Sequence, residues 1–382
     1  KINNTSLLKL RLSKNNFCLP VQKKSSMLDN DTFNFLNQSE SFSEIGWHNT
    51  GKKISKLWRY NQHYFNDLNS IDANKCKKFY EKLIENWIDE NPLGIGVGWE
   101  PYPTSIRIVN WIKWQYSGNK LSDRCLRSLT LQSRWLSKRV EWHILGNHLF
   151  ANAKALLFAG LFFLDEESEN WLKTGLKIVN DELEEQILND GGNFERSPMY
   201  HSIFLEDLLD IINISKVYSS NIKETDIDKW IKVAKNMLKW METMLHPDGE
   251  ISFFNDTTLN NSSNLDQLKR YSERLGIKYN YTKFKKIEHL NNSGYLRLSF
   301  NKAVLILDVA PIGPDYLPGH AHADTLSFEL SVFGKRLMVN GGISEYEISK
   351  NRHSERSTKA HNTVEINGEN SSEVWSAFRV AR

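Results

Sequence analysis

The feature that most constrains the fold is a change of hydrophobic spacing close to residue 291 of this 382-residue chain. Before it, apolar residues recur every three or four positions, as at Phe79, Leu83 and Trp87, which is the spacing of an amphipathic helix. After it, apolar and polar residues alternate, as in 325–333, which is typical of a half-buried antiparallel strand. Helices followed by strands indicate segregated α and β domains rather than alternating βαβ units.

The first part of the chain carries several helical stripes separated by loops rich in Gly, Pro, Asn and Asp. The clearest stripes lie at 171–187 and 227–241. Further helices are predicted over 104–116, 122–139, 145–163 and 200–218. About seven to ten helices of similar length can form either a toroid or a bundle, and the spacing alone favours neither.

The second part is predicted to contain antiparallel strands over 295–300, 303–310, 325–333, 336–340 and 362–367. A complete β-sandwich usually needs more strands, so we expect an incomplete one. The predicted domains are an irregular N-terminal arm over 1–54, a helical domain over 55–290 and a β domain over 291–382.

Charge and apolar content exclude several classes of protein. There are 49 basic and 46 acidic residues, a net charge of +3, which is too balanced for binding nucleic acid by bulk charge. Polar residues interrupt the most apolar stretch, 144–164, so no membrane span is predicted. The three cysteines form no CxxC pair, which argues against a disulfide framework or a cysteine zinc site. We expect a monomer or a homodimer.

Two polar segments coincide with predicted helix starts. Asn147 and His148 open an apolar helix, where free N–H groups favour an anion; alternatively, Asn147 caps the helix and His148 is a satisfied core residue. Tyr200 and His201 lie in the first turn of a helix begun by Ser197-Pro198. A helix N-terminus and nearby cations would lower the pKa of Tyr200, although a tyrosine at the rim of the core is the plainer interpretation.

A third segment contains His320, His322 and Asp324, which a strand would place on one face. Two imidazoles and a carboxylate together indicate a metal or catalytic site more often than a hydrogen-bonded surface cluster. The fourth segment runs from Asn340-Gly341-Gly342 through Tyr346 and on to His361-Asn362. Its His361 precedes a predicted strand and would join His322 as a metal ligand if the two strands are neighbours.

Two further groups are ambiguous from sequence alone. Arg352 and Arg356 either belong to the fourth segment or form a solvated charged face. The stretch from Trp99 to Pro103, with Arg107 and Asn110, places aromatic rings beside polar groups, which suits a sugar-binding groove as well as a core.

In their order along the chain, the four segments resemble those of the heparinase II/III-type polysaccharide lyases, which include heparan-sulfate lyases, oligoalginate lyases and members from capsule gene clusters. The matching stretches are Gly146-Asn147-His148, Asp190-Gly191-Gly192 through Tyr200-His201, His320-Ala321-His322-Ala323-Asp324, and Ala360-His361-Asn362-Thr363. Stretches 57–65 and 102–111 resemble the capsule-cluster branch. The resemblance implies an α+β chain with an incomplete (α/α) toroid followed by an antiparallel β-sandwich, and no organic cofactor.

The resemblance also implies β-elimination at a uronic acid of an acidic polysaccharide. The C5 proton of a uronate is very weakly acidic, so its removal requires the adjacent carboxylate to be neutralised. By similarity, Asn147 and His148 bind that carboxylate with help from His320, Tyr200 acts as base or acid, and Tyr346 is a second site tyrosine. The predicted substrate-binding residues are Trp99, Tyr102, Arg107, Asn110, Glu195, Arg196 and His201.

The family's structural metal, usually zinc, is held by His, Asp and His. Here the matching residues are His322, Asn340 and His361. An amide oxygen is a poorer ligand for a cation than a carboxylate, so zinc is expected to be weakened or lost.

Two other functions compete with a lyase. One is a non-catalytic glycan-binding or assembly protein of a surface-polysaccharide pathway. The other is a toroid-fold glycoside hydrolase, which needs two carboxylates about 5–10 Å apart. The candidate carboxylates are Glu100, Asp190, Glu195 and Asp256, and the sequence singles out no pair among them.

Overall fold

The computed structural model describes residues 6–13, 15–48, 54–280 and 284–381. Its helices, α1 to α11, are Phe42–Ile45, Lys56–Tyr64, Lys77–Glu90, Pro101–Tyr116, Asp123–Ser137, Gly146–Phe162, Glu166–Gln186, Pro198–Val217, Glu224–Thr243, Leu265–Arg274 and Lys350–Glu355. Its strands, β1 to β11, are Lys9–Leu10, Thr32–Phe35, Gln38–Ser41, Phe163–Leu164, Ile287–Leu290, Tyr295–Phe300, Ala303–Asp308, Phe328–Val332, Lys335–Met338, Glu373–Trp375 and Arg379–Ala381.

The chain divides into two compact units. The first unit comprises Lys1–Asp181 and Asn213–Lys223, and the second comprises Glu182–Ile212 and Glu224–Arg382. The predicted boundary near residue 291 marks the change from helix to strand, whereas the compact units group helices α9 and α10 with the strands that follow them.

The helices predicted from hydrophobic spacing are confirmed. Helices α4, α5, α6 and α8 match the predicted ranges to within three residues at each end. Local chemistry explains their starts: Pro198 suits the first turn of α8 because it has no N–H to satisfy, and the Ser122 side chain accepts from the Cys125 N–H at the start of α5. Among the described helices, none has the length and apolar character needed to cross a bilayer, as predicted.

Indole side chains make up much of the interior of the first unit. The buried tryptophans there are Trp47, Trp58, Trp87, Trp99, Trp111, Trp114 and Trp171. Large aromatic rings contribute heavily to core stability because each buries a large apolar area. Most of the tryptophan-rich sequence therefore serves the core of this unit rather than an exposed surface.

Strands β5 to β9 form one antiparallel sheet in which chain neighbours are sheet neighbours. Four of the predicted strands are confirmed as β6 to β9. The fifth, predicted over 362–367, is wrong. That stretch holds only an isolated bridge between Ile366 and Glu369, because Asn367 and Gly368 turn the chain with φ of 56° and 76°.

The two faces of this sheet have an unusual distribution of polarity. The buried face carries Arg297, Ile306 and Glu329 in register across three strands. The opposite face carries leucines and a phenylalanine in register, all only half-buried: Leu296, Leu298, Leu305, Leu307, Phe328 and Leu330.

The polar residues of the buried face are hydrogen-bonded. Arg297 donates to the carbonyl oxygens of Thr243 and Leu245, at 3.0 and 2.5 Å. The buried His246 ring contacts Glu329 and Ser331, each at 2.7 Å. These contacts lie within the second unit and hold the sheet against the end of α9.

Candidate active site

The turn before α8 is built to place Tyr200. Gly191 has a φ of 90°, and a side chain on Gly192 would meet Trp240 Nε1 at 2.5 Å, so both positions favour glycine. Asp190 fastens the turn by accepting hydrogen bonds from both the backbone N–H and the hydroxyl of Ser293, at 2.7 and 2.9 Å. The helix then begins at Pro198 and carries Tyr200 in its first turn, as predicted.

Three of the predicted catalytic residues come together in the second unit. The Tyr200 hydroxyl donates to the Tyr346 hydroxyl at 3.0 Å, and the Tyr200 ring stacks on His320 with 3.8 Å between ring centroids. The rings of His320 and Tyr346 meet edge to face at 6.3 Å. All three are only partly buried, so this cluster combines two phenols and an imidazole at a surface that solvent reaches.

The expected lowering of the Tyr200 pKa is wrong. Although part of the side chain is exposed, the protein packed around the ring desolvates it and raises its pKa well above the ordinary value, and the neighbouring Tyr346 and Asp256 add to the rise. The pKa of Tyr346 is raised for the same first reason, burial, followed by Asp256. Both phenols therefore carry their protons at neutral pH.

His320 and His322 lie in the loop that precedes β8, not in a strand as predicted, because β8 begins only at Phe328. They nevertheless point to the same place. His320 Nδ1 donates to Asp256 Oδ2 at 2.8 Å, and His322 Nε2 donates to Asp256 Oδ1 at 2.9 Å. Asp324, predicted on the same face, is buried, and none of the described residues hydrogen-bonds to its Oδ2.

Asp256 is a residue that sequence reasoning did not assign to a lyase site. Its carboxylate is fully buried and is bound bidentately by Arg352, at 2.5 and 2.8 Å, in addition to the two histidines. Burial alone would raise its pKa, but hydrogen bonds from His320, His322 and Arg352 outweigh burial and hold the pKa well below the usual range.

Arg352 and Arg356 are therefore not the solvated face considered above, because both are fully buried. Besides Asp256, Arg352 donates to the Ala377 carbonyl oxygen at 2.9 and 3.1 Å. Arg356 donates to the Ala321 carbonyl oxygen, between the two histidines, at 3.1 and 3.2 Å. The arginines thus brace the loop that carries His320.

The donors predicted to hold zinc fit a cation in part. His322 Nδ1 and His361 Nε2 face each other at 3.0 Å. Their other ring nitrogens donate to Asp256 and to the Ser357 carbonyl oxygen, so in neutral rings the facing nitrogens both carry lone pairs. Asn340 fits less well, since its Oδ1 already accepts the Asn362 N–H at 3.1 Å. No group of three His, Cys, Asp or Glu side chains in the described parts of the chain forms a metal cluster.

Asn147 and His148 lie in the first unit, at the start of α6. Leu145, not Asn147, is the residue before the first turn, with a φ of 63° and no side-chain cap, so Asn147 does not cap the helix. His148 is partly exposed; its Nδ1 contacts Glu141 Oε1 at 3.1 Å, and its ring packs on Tyr102 with 4.4 Å between centroids. Tyr102, a predicted substrate-binding residue, therefore lies beside the predicted catalytic residue His148.

Three of the predicted substrate-binding residues belong instead to the core of the first unit. Arg107 is fully buried; it donates to Gln132 at 2.9 Å and stacks on Trp87 at 3.9 Å. Trp99 and Asn110 are 4% and 7% exposed and bind backbone carbonyl oxygens. A substrate cannot reach Arg107 without opening this core, so its predicted role is corrected to a structural one.

The three predicted substrate-binding residues of the second unit are also buried. Arg196 donates to the carbonyl oxygens of Ser293 and Pro311, at 3.1 and 2.9 Å. His201 is fully buried against Trp240, with 4.3 Å between ring centroids. Glu195 is 5% exposed. His201 and Arg196 thus support the Tyr200 turn and are corrected to structural roles.

Comparison with known sequences gives matches along most of the chain. Residues 15–279 match the Heparinase II/III N-terminus, and residues 282–382 match Heparinase II/III-like, C-terminal. The chain is 28% identical over 255 residues to a heparin-sulfate lyase of Bacteroides stercoris, covering 62% of this chain and 38% of that protein. It is 25% identical over 322 residues to a heparin-sulfate lyase of Pedobacter heparinus, covering 75% of this chain and 47% of that protein. The chain thus spans less than half the length of these relatives.

Solved structures show a similar fold. A crystal structure of heparinase III superposes with a TM-score of 0.69 at 20% identity, covering 85% of this chain and 57% of that one. A crystal structure of a heparan sulfate lyase from Pedobacter heparinus superposes with a TM-score of 0.55 at 21% identity, covering 87% and 57%.

Proposed function

The chain belongs to the heparinase II/III family, and from that premise we propose that it is a polysaccharide lyase that cleaves a uronic-acid-containing polysaccharide by β-elimination. The observation that carries the proposal is the cluster of Tyr200, His320 and Tyr346. Three residues expected to be catalytic, separated by up to 146 positions, bring two phenols and an imidazole within contact of one another. A glycan-binding protein would have no need of this arrangement.

In the proposed reaction, the uronate loses its C5 proton, a C4–C5 double bond forms, and the bond from C4 to the leaving oxygen breaks. Asn147 and His148 neutralise the uronate carboxylate, which allows the developing negative charge to spread onto it. His148 is suited to this role because Glu141 holds one ring nitrogen and leaves the other for a ligand. His320 assists in binding the uronate carboxylate through Nε2, the ring nitrogen that does not face Asp256.

We assign protonation of the leaving oxygen to Tyr200. A phenol whose pKa is raised by burial holds its proton at neutral pH and can donate it as the bond breaks. A tyrosinate base would instead require alkaline conditions. In the same step the Tyr200 oxygen takes up the C5 proton as its own proton passes to the leaving oxygen, so the phenol is regenerated and no resting tyrosinate is needed. The Tyr346 hydroxyl, 3.0 Å away, is the neighbouring group that can hydrogen-bond to the Tyr200 oxygen during this exchange.

We also propose that a structural cation, zinc by analogy with the family, is held by His322 and His361 with a weak contribution from Asn340. Support comes from the facing nitrogens of the two histidines and from the Asp256 and Ser357 acceptors behind them. When bound, the cation supplies a fixed positive charge that joins two loops. Metal analysis of the purified protein tests this, and a zinc content near zero contradicts it.

We propose that the helices belong to an incomplete (α/α) toroid and the strands to a β-sandwich, which the similarity to heparinase III structures supports.

The hydrolase alternative has less support, because Asp190 is engaged by Ser293 and Asp256 by Arg352. Neither carboxylate is available as an acid or a nucleophile.

The decisive experiment measures ultraviolet absorbance while the protein is incubated with a panel of uronate polymers. The C4–C5 double bond of the product absorbs, so a lyase gives a rising signal, whereas a hydrolase or a binding protein gives none. Tyr200→Phe should abolish the rise. Tyr271→Phe is the matched control, since Tyr271 is a buried tyrosine whose hydroxyl donates to Asp210. Full activity of Tyr200→Phe contradicts the assignment.

A further inference from the structure

Hydrogen bonds to the backbone of Asp256 fix the position of this residue independently of the contacts that its carboxylate makes. It lies in the loop between α9 and α10, where Asn255 has a φ of 56°. Its backbone N–H donates to the His320 carbonyl oxygen at 3.0 Å, and its own carbonyl oxygen accepts the Ser197 hydroxyl at 2.6 Å. The loop is thus tied both to the turn that begins the Tyr200 helix and to the segment that carries His320.

The Asp256 carboxylate receives four hydrogen bonds on two oxygens. Oδ1 accepts from His322 and Arg352, and Oδ2 accepts from His320 and Arg352. An ionised carboxylate offers only acceptors, so every group that faces it must donate. The bidentate guanidinium fixes the plane of the carboxylate and balances its charge in the buried interior.

This arrangement determines which nitrogen of His320 carries its proton. Because Nδ1 lies 2.8 Å from Asp256 Oδ2, it must be the protonated nitrogen, and Nε2 is left with its lone pair in the neutral ring. Among the described residues, none makes a hydrogen bond to His320 Nε2. The ring is also stacked on Tyr200 and edge-on to Phe378, at 3.8 and 5.9 Å between centroids, so its rotation is limited.

We propose that Asp256, pinned by Arg352, is a positioning residue of the active site: it selects the Nδ1–H tautomer of His320 and aims Nε2 at the substrate. The same carboxylate orients His322, so one buried anion sets the geometry of both the predicted catalytic histidine and the predicted metal-binding histidine. The catalytic consequence of this inference rests on the proposed lyase function. The assignment of the His320 tautomer does not depend on that function.

The first test measures the tautomer directly. Nitrogen NMR of histidine-labelled protein should show His320 protonated at Nδ1 in the wild type and should show that signature lost in Asp256→Asn, whose amide can donate toward the ring. A wild-type His320 protonated at Nε2 overturns the proposal, whatever the protein's activity. The wild-type measurement decides this point by itself and needs neither a substrate nor a variant.

The second test separates positioning from stability. Asp256→Asn should lower kcat by roughly 100-fold or more and change KM by less than about threefold, because losing the correct tautomer costs on the order of 10²–10⁴ in other histidine-dependent enzymes. Asp210→Asn is the matched control, a fully buried carboxylate of the same unit that binds Tyr271 instead. Arg352→Lys, which keeps the charge but loses the bidentate contact, should give a smaller loss of kcat.

Equal kcat values for Asp256→Asn and Asp210→Asn overturn the positioning role. A wild-type protein that shows no lyase signal on any uronate polymer counts against the proposed function, and in that case the His320 tautomer alone decides the inference.

Discussion

Because His201 is fully buried, we expect the folded protein to lose stability in mild acid. The Nε2 of His201 donates to the Met237 carbonyl oxygen at 3.0 Å, and its Nδ1 accepts the Asn193 N–H at 3.3 Å, so both nitrogens of the neutral ring are hydrogen-bonded. A second proton, on Nδ1, would point at the Asn193 N–H, which is also a donor. Burial lowers its pKa to about 4. Because an unfolded histidine titrates near 6.5, the unfolded state binds more protons between these values. The contribution to stability is complete above about pH 6.5 and is lost as the pH falls toward 4.

The expected size follows from the two pKa values. A depression of roughly 2.5 units corresponds to about 3 kcal/mol of unfolding free energy lost by pH 4, of which about 2 kcal/mol is lost between pH 7 and pH 5. Urea unfolding of wild type and His201→Gln at both pH values measures it. Glutamine supplies a donor and an acceptor but does not titrate. The contributions of the other histidines to the pH dependence are the same in both proteins and cancel in the difference.

The wild type should therefore lose about 2 kcal/mol more than His201→Gln on going from pH 7 to pH 5. The same pH dependence in both proteins would refute the reasoning, as would an NMR titration that places the His201 pKa above 6. Because the ring lies beneath the Tyr200 turn and reaches no surface, the KM of His201→Gln at pH 7 should match that of the wild type.

Four further changes should separate structural from catalytic residues. Arg107→Ala should lower the unfolding free energy by about 3 kcal/mol, measured by denaturation, without raising KM, because it creates a cavity and leaves buried partners unpaired. Tyr346→Phe should lower kcat by roughly 10- to 100-fold in the absorbance assay, because Tyr200 loses its acceptor. Glu141→Gln should raise KM more than it lowers kcat, through the altered orientation of His148, and equal effects on both would argue against that role. Asn340→Asp should increase zinc affinity, measured by calorimetry, since it restores a carboxylate ligand.

The elements that could be predicted are those fixed by local spacing. Helix α8 was located from its apolar stripe and from Pro198, and strands β6 to β9 from their alternation. The segment at His320 has a strand-like spacing of two in sequence, and this spacing is the same whether or not another strand pairs with it. Pairing is absent there, and Leu326, with a φ of 61°, turns the chain before β8 begins.

The candidate site was predicted only where a residue type by itself suggested chemistry. Tyr200 and His320 stand out by residue type and position, and Tyr346 only through the resemblance. Asp256 is not assigned to a lyase site from sequence, because its role depends on partners 64 to 96 positions away. Arg107 shows the opposite error. A cation among aromatic residues looks the same in sequence whether the rings line a sugar groove or, as here, enclose it in a core.

The sheet with a polar buried face has a consequence for how this chain folds. A slip of one residue in pairing would exchange the two faces and bring Leu298 and Leu305 toward the helices in place of Arg297. Burial of apolar surface would favour that mistake, so the correct register depends on directional contacts such as those of His246 with Glu329 and Ser331. Folding must therefore choose against a competing hydrophobic arrangement, a case of local frustration. We expect refolding to be slow and to populate misregistered intermediates that resolve only when these hydrogen bonds form.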